Sequence, residues 1–128
     1  MDIIKVVCGV IFKDGKVLLC RRKPAKSLGG YWEFPGGKVE PGEQEQTSLL
    51  RELEEELGMK VNIEGHFKTV VHAYDAMTIQ LIAYTCLFQE ASFVLTDHDS
   101  YEWVNKADLK NWKLAPADIP IANDLMVD

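Results

Sequence analysis

Cysteine is scarce in this chain: Cys8, Cys20 and Cys86 form an odd, widely spaced set without a CxxC pair. That pattern excludes a disulfide scaffold or a zinc knuckle and suits a reducing, cytoplasmic setting. Long apolar runs are missing as well. A stretch such as Val6 to Phe12 falls far short of the ~20 residues that a membrane span requires. No basic segment leading into an apolar run and a small-residue cleavage site is found, so no export signal is expected. Positive charge is in deficit, with 14 basic against 20 acidic side chains and a net charge of −6. A polymer of nucleic acid is therefore an improbable partner, whereas small anions can still bind locally or through a bridging cation. Repeats, low-complexity tracts and linkers rich in Ser, Gly or Pro are also absent.

What is present is enough for a packed core: 128 residues, 47% apolar and 27% charged, read as one domain over residues 1–128. Ile3 to Phe12 is rich in β-branched residues and reads as a buried strand. Asp14-Gly15 supplies a tight hairpin, and Lys16 to Cys20 returns. Ser27 to Gly42 is loop-rich, interrupted by Tyr31-Trp32-Glu33-Phe34. Gln44 to Leu57 contains no Gly or Pro, is full of helix formers and runs into Gly58, a natural left-handed cap. Further strands are expected at 67–74, 78–88 and 102–104, with a closing helix over 120–127 and Asp118 at its start. The class is α+β (mixed α/β), helices packed on a sheet.

The central helix carries two faces. At about 100° per residue, Leu49, Leu50, Leu53 and Leu57 share one arc, read as the core stripe, and Glu52, Glu55 and Glu56 share another. Like charges at such spacing repel by a few tenths of a kcal/mol per pair, so the arrangement is unfavourable unless something positive lies among them. A solvated acidic face is the plain alternative. The flanks favour a site: Gly36-Gly37 permits close backbone approach, Glu43 lies near the helix N-terminus, and Arg51 can orient carboxylates through forked hydrogen bonds. Hard carboxylate oxygens without His or Cys select Mg²⁺ or Mn²⁺ over zinc.

These residues resemble a known pattern. Gly37, five residues, Glu43, seven residues, then Arg51-Glu52-Leu53-Glu54-Glu55-Glu56-Leu57-Gly58-Met59 is similar to the Nudix box without a departure. The resemblance implies the Nudix fold, a mixed sheet between helices, and hydrolysis of a nucleoside diphosphate linked to another group. It also implies metal ligation by Glu52, Glu55 and Glu56 with the Gly37 carbonyl, while Glu43 and Arg51 support the loop–helix geometry. Such chemistry needs neutralised phosphate charge, an aligned water and a proton acceptor, for which Glu55 and Glu52 both qualify. Asp97 stands where MutT-like members carry a loop glutamate. It reads equally as a further metal ligand or as part of a polar loop.

Substrate features follow. Lys13, Lys16, Arg21, Arg22, Lys23 and Lys26 cluster in an otherwise acidic chain. Lys13 and Lys16 suit a solvated hairpin, whereas Arg22 and Lys38 are placed to meet a phosphate or base. The tail Leu114 to Ile121 and the run Gly30 to Phe34 resemble MutT-like nucleoside triphosphate pyrophosphohydrolases, closest to the CTP pyrophosphohydrolase subgroup. Where MutT-like members read oxidised guanine with an Asn, this chain has Asp118, suited to an exocyclic amino group, to capping the last helix, or to both. Phe34 serves as a platform for the base or as core. Trp103 and Trp112 read as packing residues, and His66, His72 and His98 are scattered. The resemblance thus implies a Mg²⁺-dependent enzyme acting on a small nucleotide, CTP-like or oxidised as in 8-oxo-dGTP, in pool sanitation and DNA repair. It would be a cytoplasmic monomer or homodimer without membrane attachment. Rival readings are cleavage of ADP-ribose or dinucleoside polyphosphates, or a Nudix domain that senses nucleotide without cutting it.

Overall fold

The computed structural model describes residues 3–127. Strand β1 (Ile3–Lys13) and β2 (Lys16–Arg22) form a hairpin that pairs only at its tip, Phe12 with Val17 and Lys13 with Lys16. Beyond the tip the two strands splay, and β4 (Gly36–Lys38) fills the opening by pairing antiparallel with Val6 to Cys8 of β1. The two-residue β3 (Trp32–Glu33) and β7 (His98–Asn105) lie against β2. On its other side β1 runs parallel to β6 (Thr78–Ala91), which pairs antiparallel with β5 (Met59–Ala73). The sheet is mixed, as expected.

Alternation along β1 divides the core into two layers. Val7 and Ile11 point to one face, where Leu49, Leu53 and Leu57 of helix α1 (Glu45–Leu57) cover them. Cys8 and Val10 point to the other, beneath Ile121, Ala122 and Leu125 of α2 (Ile119–Leu125) and Leu109 of the 3₁₀ turn Lys106–Asn111. Each apolar face is thereby covered by a helix, the physical requirement for a two-sided sheet.

Several expectations need correcting. Leu50 is not core: it is 45% exposed, and Ser48 and Glu56 are buried instead. The covered face of α1 is rotated toward its carboxylates, because Ser48 Oγ donates to the Lys38 carbonyl and draws the helix onto β4. β5 begins eight residues before the expected Phe67 start, at Met59. Its register shifts at Lys60/Val61, Ile63/Gly65 and His66/Lys68 break the period of two that signals a strand. β7 likewise extends beyond 102–104. Among the described residues no helix is long and apolar enough to cross a membrane.

Candidate active site

The site is assembled around Arg51. From the middle of α1, its guanidinium grips Glu43 with a fork, Nε to Oε2 at 2.7 Å and Nη2 to Oε1 at 2.9 Å. Nη1 donates to Glu52 Oε1 at 3.0 Å and to Glu55 Oε2 at 3.1 Å, and Nη2 reaches the Lys38 carbonyl at 3.3 Å. A single cation thus fastens the loop, β4 and the acidic face of the helix together. The fork, ahead of the Glu40 backbone N–H, pulls the Glu43 carboxyl down to about 2, and the same bonds keep Arg51 charged.

Glu56 lies beneath this surface, 7% exposed, and its Oε2 is buried without a hydrogen-bond partner among the described residues. Burial, then hydrogen bonds and charge from Glu52 and Asp97, push its proton affinity well above the usual carboxylate range. Asp97 reaches Glu56 from the loop before β7 and pairs with Lys26 at 3.2 Å. Glu55 is the outermost of the three glutamates, with 59% of its side chain exposed. Gly37 backs onto Glu52 so closely that a Cβ there would overlap the Glu52 carboxylate.

From Gly37 and Lys38 a cleft of about 330 Å³ runs between β1, β3, the Ser27-Leu28 loop and the tail. All four residues expected to meet substrate line it: Arg22, Phe34, Lys38 and Asp118. Lys38 is exposed at the rim. Phe34, 2% exposed, belongs to the core and forms part of the wall, so both readings of it apply. Asp118 makes no side-chain cap to α2, so the helix-cap reading is set aside. Its Oδ2 instead accepts the Phe34 backbone N–H at 2.8 Å, anchoring the tail to β3 across the cleft. Burial, followed by the Glu33 charge, raises its proton affinity, and the Phe34 N–H and Arg22 only partly offset this.

A loop glycine thus lies against a helical carboxylate, a guanidinium holds the acidic face, and Gly37 and Lys38 also line the cleft. The family model described as NUDIX domain matches residues 6–124. The chain belongs to the Nudix family. It is 34% identical over 126 residues to the CTP pyrophosphohydrolase of Escherichia coli K12, covering 98% of this chain and 93% of that one. To an 8-oxo-dGTP diphosphatase of Buchnera aphidicola it is 30% identical over 125 residues, covering 98% and 95%. The solution structure of the E. coli ORF135 protein matches with a TM-score of 0.84 at 34% identity, over 98% of this chain and 90% of that one.

Nudix hydrolases need a divalent cation. Among the described residues no three side chains stand in a metal-ligating arrangement, because Glu52 and Glu55 are turned onto Arg51. The donor chemistry nevertheless fits such an ion. Glu52 and Asp97 are hard oxygen donors that each meet Glu56, and Glu56 Oε2, orphaned among the described residues, lacks the positive partner that a buried carboxylate requires.

Two residues of this Nudix site escape the sequence. Glu33 lines the cleft beside Arg22, and His98, read as a scattered histidine, is fully buried against it. Nothing in the spacing of residues 33 and 98 foretells their contact, which depends on β3 and β7 flanking β2.

Proposed function

We propose that this Nudix hydrolase cleaves nucleoside triphosphates to nucleoside monophosphate and pyrophosphate, with cytidine nucleotides or oxidised purines such as 8-oxo-dGTP as substrates. The observation that carries the reading is the continuity of the cleft. Its Arg22, Phe34 and Asp118 end suits a base, and its Gly37-Lys38 end abuts the carboxylates of α1. The likeness to enzymes named for CTP and for 8-oxo-dGTP supports the choice of substrates.

Glu52, Glu55, Glu56 and the Gly37 carbonyl, with Asp97 at the rim, would hold Mg²⁺ or Mn²⁺. When bound, the ion neutralises charge building on the phosphate oxygens and makes water more acidic. The chain's own groups do the rest. Arg51 fixes Glu52 and Glu55 in place without contacting substrate. Lys38 meets a terminal phosphate oxygen. Water attacks the β-phosphorus in line, the bond from that phosphorus to the bridging oxygen breaks, and the monophosphate departs. Glu55 takes the proton: it is the most exposed carboxylate of the cluster and Arg51 engages only its Oε2, whereas Glu52 is wedged against Gly37. The free thiols of Cys8, Cys20 and Cys86, all buried, suit action on a nucleotide pool in a reducing cytoplasm.

A panel of normal and oxidised nucleotides with Mg²⁺, scored by pyrophosphate release, tests the reading. CTP, dCTP or 8-oxo-dGTP should be turned over well ahead of ADP-ribose and dinucleoside polyphosphates. Faster cleavage of ADP-ribose, or nucleotide binding with no product at high enzyme concentration, would overturn it.

A further inference from the structure

Glu33 and His98 have no part in the hydrolysis derived above, yet the fold secures both. Both Glu33 oxygens lie against Arg22 Nη1, at 3.3 and 3.2 Å, and Oε2 also lies 2.8 Å from His98 Nε2. An ionised carboxylate can only accept, so the imidazole carries a proton on Nε2 and donates it. The His98 side chain has no exposed surface, and its Nδ1 finds no partner among the described residues. A buried polar atom left unpaired is destabilising, and a leucine would fill the same space without that penalty. The ring's contribution is therefore the bond to Glu33 rather than packing.

The consequence falls on Arg22. Its Nε donates to the Ser27 carbonyl at 2.7 Å and its Nη1 to Glu33, which leaves Nη2 without a partner among the described residues. Arg22 is among the residues that line the cleft, and Nη2 is the nitrogen it has left for a ligand there. A flexible arginine loses side-chain freedom when it grips a ligand, whereas one already held at two nitrogens has little left to lose.

We propose that His98 and Glu33 are positioning residues, a buried clamp that holds Arg22 so that Nη2 meets the bound nucleotide. This rests on the reading of the cleft as a nucleotide site. In steady-state kinetics, Glu33→Ala should raise KM about tenfold, the weight of one charge-assisted contact, while kcat changes less than about threefold. Glu33→Gln, which keeps an acceptor for Arg22, should restore most of the KM. His98→Gln, which keeps an N–H near the Nε2 position, should resemble the wild type, and His98→Leu should reproduce Glu33→Ala.

A purely structural role would add its full loss to any background. The clamp instead predicts that Glu33→Ala changes KM less than about twofold once Arg22→Ala is present. A readout independent of turnover is the Arg22 Nη1–H resonance in free protein, the group that donates to Glu33, protected in the wild type and in Glu33→Gln and lost to exchange in Glu33→Ala. Persistence of that resonance in Glu33→Ala, or a full additional loss in the Arg22→Ala background, overturns the clamp. The resonance needs no substrate, so it separates failure of the clamp from failure of the triphosphate reading.

Discussion

Asp118 shows how much one residue can combine. Its backbone starts α2, its Oδ2 holds the Phe34 N–H, and the carboxyl lies in the wall of the cleft. Because one oxygen is committed to the backbone, only the other can address a base, and that oxygen decides which hydrogen-bond pattern fits. Asp118→Ala should therefore collapse the ranking among CTP, dCTP and 8-oxo-dGTP more than it lowers the best turnover. Competition assays on mixed nucleotides measure this. A loss of about tenfold in discrimination corresponds to one such bond, and an unchanged ranking would reduce Asp118 to a strut between tail and β3. Its neighbour Cys8 lines the same cleft, and burial together with the Asp118 and Glu33 charges keeps that thiol from ionising.

Among the elements, α1 is held at both ends by unlike means. Its N-terminus has no side-chain cap, and the Arg51 fork on Glu43 fastens it instead to the preceding loop. Its C-terminus stops at Gly58, φ 57°, whose N–H returns to the Glu54 carbonyl at 2.9 Å. Ser92 and Phe93 then close the end by donating their backbone N–H groups to Gly58 and Leu57 at 3.2 and 3.0 Å. A Cβ at Gly58 would both force a left-handed side chain and collide with Ser92 Oγ. Gly58→Ala should lower unfolding stability by about 1–2 kcal/mol, read from the urea midpoint with an unchanged m-value. Because Asp97 lies five residues beyond Ser92, the same variant also loosens the segment that brings Asp97 to Glu56.

In the whole molecule, the acidic cluster is a local defect in an otherwise well-packed protein. The described residues hold Glu56 beside Glu52 and Asp97 with one oxygen unsatisfied, while Leu49, Leu53 and Leu57 of α1 are fully buried. A divalent cation that binds only the folded chain would relieve that defect. At a hundredfold excess over Kd it would add about 2.7 kcal/mol, a rise of several degrees in Tm. Mg²⁺ or Mn²⁺ should therefore raise Tm in a calorimetric titration. Glu56→Gln should abolish that rise while leaving the ion-free Tm close to that of the wild type, because the crowded carboxyl already holds its proton when no ion is bound and Gln is its neutral isostere. A lower ion-free Tm for Glu56→Gln would show that the carboxylate supports the fold.

The central helix, its Gly58 stop, the Asp14-Gly15 hairpin and the residues of the box were legible from the sequence because each rests on local chemistry. A left-handed glycine, a Gly/Pro-free run of helix formers and carboxylates three or four residues apart need no distant partner to declare themselves. Tertiary structure decided the rest. It rotated α1 so that Glu56 went under and Leu50 came out, turned Asp118 from a helix cap into a ligand of the Phe34 backbone, and placed His98 behind Glu33. Each of those outcomes depends on which strands lie beside β1 and β2, and no spacing within a single segment encodes that adjacency.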